Sequence, residues 1–190
     1  MKLKIILPLM ALVLSTYSCG EGCKNETKES ATITDAIMSR RSIRNYKTDQ
    51  IKADELNKIL ECGINAPSAM NRQSWEIRVI QNVDILSKIK GNFHKAPTLI
   101  VIGYQPSNSF SVVDCGMLGQ NILLAAESMN IGTCVLGSLN SFYESEEGAE
   151  VVQSMQFSEG YKPLYSIAIG YKNESPDAKP RDKGKIKIIQ

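Results

Sequence analysis

The chain has 190 residues, with 22 basic side chains against 20 acidic ones and a single histidine. Removing an apolar leader at residues 1–18 takes Lys2 and Lys4 with it and leaves 20 basic against 20 acidic, so no global positive field argues for nucleic acid. One histidine and the lack of any CxxC pairing leave little for a zinc or histidine-based site.

Met1-Lys2-Leu3-Lys4 is followed by apolar Ile5 to Leu14 and then by small and hydroxyl residues up to Ser18-Cys19, the layout of a secretory signal. That apolar run contains Pro8 and falls short of the roughly 20 residues a membrane-spanning helix needs. Thr16-Tyr17-Ser18-Cys19 resembles a bacterial lipobox, with Thr16 where Leu is usual. The expectation is a signal peptide over residues 1–18, lipid attachment at Cys19 and a polar tether over 19–32. A plain cleaved signal peptide is the alternative. Either way the domain at 33–190 is exported, and with the lipid it is anchored to the cell envelope, on the periplasmic side or the cell surface. A domain of this length can bury a sizeable core.

Thr34-Asp35 is a candidate cap for a short helix over Ala36 to Arg40. Ala53 to Ile64 carries Leu56, Ile59, Leu60 and Ile64 at helical spacing and stops at Asn65-Ala66-Pro67. Trp75 to Gln81 sets Trp75, Ile77 and Val79 against Glu76 and Arg78, a half-buried strand, and Val83 to Lys90 reads as a short helix. Thr98 to Tyr104 is a continuous apolar run and predicts a fully buried strand. Val112 to Met129 is apolar nearly all round, which predicts a buried central helix. Its Cys115, Gly116, Gly119, Leu123 and Ala126 form a stripe that would let another helix approach closely, within the monomer or across a subunit interface. Thr133 to Leu136 and Leu164 to Tyr171 read as strands, and Ser141 to Gln153 as a loop with a polar helix that could form a lid. Cys62, Cys115 and Cys134, isolated in apolar segments, read as small buried hydrophobes. Helical segments of unequal length between strands predict an α+β layered domain.

Three segments could carry chemistry. Arg40, Arg41, Ser42 and Arg44 lie within five positions; guanidinium groups donate forked hydrogen bonds to phosphate, and the hydroxyl adds another donor. A solvated charged helix end would use the same residues. Lys179-Pro180-Arg181 is a second basic cluster, in the tail. Pro67-Ser68-Ala69-Met70-Asn71-Arg72-Gln73-Ser74-Trp75 packs hydroxyl and amide groups between a proline stop and a strand, where turn formation is the competing explanation. P-loop, GxGxxG and GxSxG motifs are missing, so an enzyme built on this chain would depend on a cofactor.

Taken together and in this order, the Arg-Arg-Ser-x-Arg stretch, the Pro-Ser-x-x-Asn-x-Gln-x-Trp loop and the Lys-Pro-Arg tail resemble the FMN-dependent nitroreductases. Gly132-Thr133-Cys134-Val135-Leu136-Gly137 after the apolar helix is similar to that family's flavin-side strand. The resemblance runs over roughly residues 33–183, with Ser74 standing where the family usually has Pro. It implies an α+β fold with a mixed central sheet flanked by helices, and a homodimer with the long central helix at its interface and one FMN at each end. Carried over, Arg40, Ser42 and Arg181 would hold the phosphate with Arg41 and Lys179 close by. Arg44 would lie near the N1 edge of the flavin. Pro67, Ser68, Ala69 and Asn71 would reach the flavin from the partner subunit, and Leu136 with Gly137 would line the ring. The implied activity is ping-pong transfer from NAD(P)H through the flavin to a nitroaromatic, quinone or similar acceptor. Export would set the protein apart from cytoplasmic NAD(P)H. That leaves three alternatives: another electron donor, a flavin-binding or scaffold lipoprotein without turnover, or a different flavin reaction such as dehalogenation or dehydrogenation.

Overall fold

The computed structural model describes residues 32–190; the leader, Cys19 and the tether up to residue 31 lie outside the described residues. The first helix, α1, spans Ile33–Ser39, three residues earlier than its spacing predicts. Its cap is Thr32, not Thr34-Asp35: the Thr32 hydroxyl accepts from the Asp35 N–H at 3.2 Å while the Asp35 carboxylate accepts from the Thr32 N–H at 3.0 Å. This reciprocal pair satisfies two otherwise orphaned donors at once. Helix α2 (Ala53–Ile64) buries Leu56, Ile59 and Gly63, and ends where Asn65 donates to the Glu61 carbonyl at 2.7 Å.

Four strands follow: β1 (Trp75–Ile80), β2 (Thr98–Tyr104), β3 (Ile131–Leu136) and β4 (Lys162–Tyr171). They pair in the order β1-β2-β4-β3, every pair antiparallel. The expected mixed character of the sheet is confined to one parallel bridge, Ser42 with Thr133, at the outer edge of β3. Strand direction could not be read from the apolar run of β2, because a central strand covered on both faces looks alike in either kind of sheet.

Period-2 alternation divides the core between the two faces of the sheet. Ile100, Ile102, Ile167 and Ile169 join Trp75 and Ile131 on the face covered by α2 and by α4 (Ser111–Ser128). Leu99, Val101, Cys134, Leu136 and Ala168 join Ile43 and Tyr46 on the other face. That second face is closed by α3 (Val83–Lys88), α5 (Asn140–Tyr143) and α6 (Ala149–Ser154). The segment from Ser141 to Gln153 is therefore core and not a lid: Phe142, Tyr143 and Val151 are buried, and the Tyr143 hydroxyl meets Ser166 Oγ at 2.9 Å.

Helix α4 departs from the expectation in two ways. One face stays uncovered in the single chain, with Val112, Val113 and Met117 exposed by 40–52%. The small stripe does not receive another helix along its length. At Gly119 the space goes to the Tyr165 ring of β4, whose hydroxyl donates to the Cys115 carbonyl at 2.6 Å, and Gly116 faces open space. The close approach of α2 to α4 uses a different glycine, Gly63, where an added Cβ would stand 2.7 Å from the Ile122 side chain. No helix among the described residues is long and apolar enough to cross a membrane.

Candidate functional site: an arginine cavity and a left-handed turn

Arg40 leaves α1 in an extended conformation, and the chain then runs along the outer edge of β3. The Ile43 N–H donates to the Thr133 carbonyl at 2.9 Å, and the Lys47 N–H donates to the Tyr171 carbonyl at 2.9 Å. Ile43 is buried against Gly132, where any Cβ would come within 2.9 Å of it. Tyr46 anchors the same segment from below, donating to the Ile43 carbonyl at 2.5 Å. Ile43 and Tyr46 are buried, whereas Ser42 is half-buried and Arg44 exposed.

Beyond β4 the tail turns back along this segment. The Asn173 N–H donates to the Asn45 carbonyl at 3.0 Å, and Glu174 accepts from the Arg44 N–H. These bonds bring Lys179 and Arg181 to the arginines across more than 130 residues of sequence. The result is a cavity of about 110 Å³ lined by Arg40, Arg41, Ser42, Arg44, Pro176, Asp177, Lys179 and Arg181. None of its five cations forms an ion pair among the described residues. Arg41 spends one nitrogen on the end of α1, donating to the Met38 and Arg40 carbonyls at 2.8 and 2.9 Å, which suits the negative end of the helix. Arg181 donates to the Lys179 carbonyl at 3.2 Å, which folds the tail over its own backbone.

Cys134 lies beneath. Burial pushes its thiol up, while Arg44, the Ser42 hydroxyl and Arg40 pull it back down, so both guanidiniums are felt at the same buried atom. Arg44, which the resemblance sets near the flavin N1 edge, lines the same cavity as the residues assigned to the phosphate. Gly137 faces open space, whereas the Leu136 side chain turns into the core among Leu139 and Phe142. The exposed side chain on this edge is Val135. Leu136 can therefore line a ring only through its backbone.

The third segment folds elsewhere. Ala69–Asn71 forms a single 3₁₀ turn in which Met70 and Asn71 both have φ near +53°, and Gln73 follows at +50°. Such left-handed conformations are uncommon outside glycine. The turn is closed by the Gln73 N–H donating to Ser68 Oγ at 3.0 Å. It is also pinned to the start of α4, where the Ala69 N–H donates to Asp114 Oδ1 at 3.1 Å. Ser74, which departs from the proline usual in the family the chain resembles, is buried; its hydroxyl accepts from Asn108 Nδ2 at 2.7 Å and its carbonyl from Ser111 Oγ at 2.5 Å. The turn thus sits at the first turn of α4, while the arginine segment sits at the last, where Ser39 donates to Glu127 at 3.1 Å. Asp114 and Glu127 are thirteen residues apart, which at the helical rise is about 20 Å. Within one chain the two groups do not converge.

Sequence reasoning missed Pro176 and Asp177 as lining residues and Asp114 as the anchor of the turn. No local signal marks them: the first two depend on the tail turning back, the third on two segments meeting. Arg78 carries no site. It donates to the Met155 and Gln156 carbonyls and to Glu76 at 2.5–2.7 Å, stacked over Phe157.

An antiparallel sheet between helices, with a cationic cavity at one sheet edge, defines an α+β protein equipped to hold a phosphate-bearing ligand. Comparison with known proteins sharpens that class. The sequence profile of the nitroreductase family matches residues 37–91 and 88–171. A Methanothermobacter thermautotrophicus protein provisionally named NADH dehydrogenase/NAD(P)H nitroreductase is 32% identical over 155 residues, covering 76% of this chain and 79% of that protein. Crystal structures of FMN-bound nitroreductases from Bacteroides fragilis and Desulfitobacterium hafniense superpose with TM-scores of 0.76 and 0.77. Each is 28% identical and covers 83% of this chain and 98% of its own. The chain belongs to the nitroreductase family.

Proposed function

We propose that the protein is an FMN-dependent NAD(P)H oxidoreductase of the nitroreductase type, reducing nitroaromatics, quinones or similar acceptors. The observation that carries this reading is the arginine cavity: five cations without ion pairs among the described residues and one hydroxyl converge from opposite ends of the domain. That donor set fits a phosphate dianion. The cavity's volume suits the phosphate alone, so an isoalloxazine ring would lie outside it, along the edge where Gly137 is open and Val135 exposed. FMN, when bound, would supply the redox chemistry between NAD(P)H and the acceptor. The chain's own residues would bind and orient it: Arg40, Ser42 and Arg181 would hold the phosphate, with Arg41 and Lys179 adding charge. Arg44 lines the same cavity and would add its charge there.

The protein works as a homodimer in this reading. Ser68 and Asn71 lie about 20 Å along α4 from the arginines of their own chain, so they serve the flavin of the partner subunit. The Ser68 hydroxyl accepts within the turn yet keeps its proton to donate, and Asn71 keeps its amide N–H groups. The uncovered face of α4 (Val112, Val113, Met117) and exposed Ile33, Ile37 and Met38 of α1 supply apolar surface for the contact. The leader and Cys19 support export and lipid attachment at the cell envelope. Substituting Cys19 by Ala should then release the protein from the detergent phase of a Triton X-114 partition; unchanged partition would exclude the lipid.

The deciding experiment for the flavin is the colour and anaerobic bleaching of the purified protein. A yellow protein bleached by NADH or NADPH and re-oxidised by a nitroaromatic or quinone is expected. A colourless protein after incubation with FMN would overturn the flavin assignment. A yellow one that neither nucleotide bleaches would remove NAD(P)H as donor.

A further inference from the structure

The turn that carries Ser68 and Asn71 is held in an unfavourable backbone state by one buried carboxylate. Asp114 is 2% exposed and sits in the first turn of α4. Its Oδ1 accepts from the Ala69 N–H at 3.1 Å, and its Oδ2 is buried with no hydrogen-bond partner among the described residues. A carboxylate buried with a single bond is a net cost to folding, offset only in part by the positive end of the helix. An alanine here would build α4 at lower cost. Consecutive left-handed residues at Met70 and Asn71 also persist only when the surroundings impose them.

We propose that Asp114 is a positioning residue: by holding the Ala69 N–H it locks the Ala69–Asn71 turn and so fixes where Ser68 and Asn71 meet the flavin of the partner subunit. This rests on the flavin reading above, and it names a residue that touches neither flavin nor substrate. The bond is a backbone donor to a charged acceptor in a buried setting, the kind whose removal is felt most. Its loss leaves the arginine cavity of the same chain untouched, because that cavity lies at the other end of α4.

The test compares the purified holoprotein with two variants that remove the bond from opposite sides. Asp114→Ala removes the acceptor. Ala69→Pro removes the donor and suits the backbone, since Ser68 is extended at φ −140°, ψ 153° and proline is favoured at the first position of a helical turn; its Cδ takes the place of the amide hydrogen, so the Asp114 carboxylate must draw back from its 3.1 Å contact. Asp114→Asn keeps an oxygen acceptor and serves as the rescue. The expected result is that FMN dissociates about tenfold faster from Asp114→Ala and Ala69→Pro, and within about twofold of wild type from Asp114→Asn. Trypsin should cut after exposed Arg72 faster in the first two while the rest of the domain resists. Should Asp114→Ala fail to fold, Ala69→Pro carries the comparison, because it leaves α4 intact. Equal FMN dissociation in wild type and Ala69→Pro, or equal damage from Asp114→Asn and Asp114→Ala, would overturn the proposal. A wild-type protein that binds no FMN would instead sink the flavin reading, while Arg72 cleavage would still report on the turn.

Discussion

The arginine cavity and the Ala69–Asn71 turn are both assigned to one flavin, yet they are held by opposite means. The cavity is made of exposed or half-exposed charges whose positions follow from backbone pairing along β3 and β4, and its cations stay clear of ion pairs among the described residues. The turn is made of neutral groups, and its shape comes from the hydrogen bond that closes it between Gln73 and Ser68 and from the one that docks Ala69 on Asp114 of α4. Charge can sit on a mobile surface and still attract a dianion, because the Coulomb interaction falls off slowly with distance. A hydroxyl and an amide must be placed to a fraction of an ångström, so they demand rigid support.

That contrast can be broken experimentally, beginning where the effect should be largest. Leu118 is fully buried on α4, one turn beyond Asp114, and Leu118→Ala should lower unfolding stability by about 2–5 kcal/mol in denaturant titrations; a much smaller loss would mean the turn does not rest on a packed helix. Arg40→Ala and Arg181→Ala should each weaken FMN binding by about 1–3 kcal/mol, measured by fluorescence titration, with the unfolding midpoint unchanged. If both leave affinity intact, the phosphate lies elsewhere.

Cys115, next to Asp114 in α4, tests the buried side through pH. Burial pushes its thiol up to about 11 from an ordinary 9.0, so the folded state favours the neutral form. Its contribution to stability is full below pH 9 and is lost as pH rises toward about 11. The stability difference between wild type and Cys115→Ala, followed from pH 8 to 11, should drift against wild type over that window; a constant difference would contradict it. Ser74→Ala removes the acceptor for Asn108 and should cost about 1 kcal/mol with FMN affinity unchanged. Smallest of all, Arg41→Ala should lower stability by about 0.3–1 kcal/mol through the end of α1, and should weaken FMN binding less than Arg40→Ala does.

Much of the fold was legible in the residues. The period of Leu56, Ile59 and Ile64 located α2 at its observed bounds, and the apolar run Thr98–Tyr104 located β2. The start of α1 was missed because Thr32 and Asp35 cap reciprocally, while Thr34 merely looked like a cap. Whether the segment after Gly137 forms a lid was not legible, because Phe142, Tyr143 and Val151 are spaced among polar residues. Their burial shows only when α5 and α6 close over the sheet. Of the site, the arginines, Ser42 and the Lys179–Arg181 tail could be picked out by charge. Leu136 could not be told from Val135, since which of two adjacent strand residues faces the core depends on register.

What the sequence determined alone is the set of local structures and the presence of three cation- or amide-bearing segments, because helical period, strand alternation and charge clustering act within a few residues. Tertiary structure alone decided which of those segments meet. The pairing of residues 42–47 with β3 and β4, and the return of the tail across Asn45, joined two basic clusters into one cavity. The docking of Ala69 on Asp114 sent the third to the far end of α4. Such convergence is set by long-range backbone pairing and burial, which no window of local sequence contains.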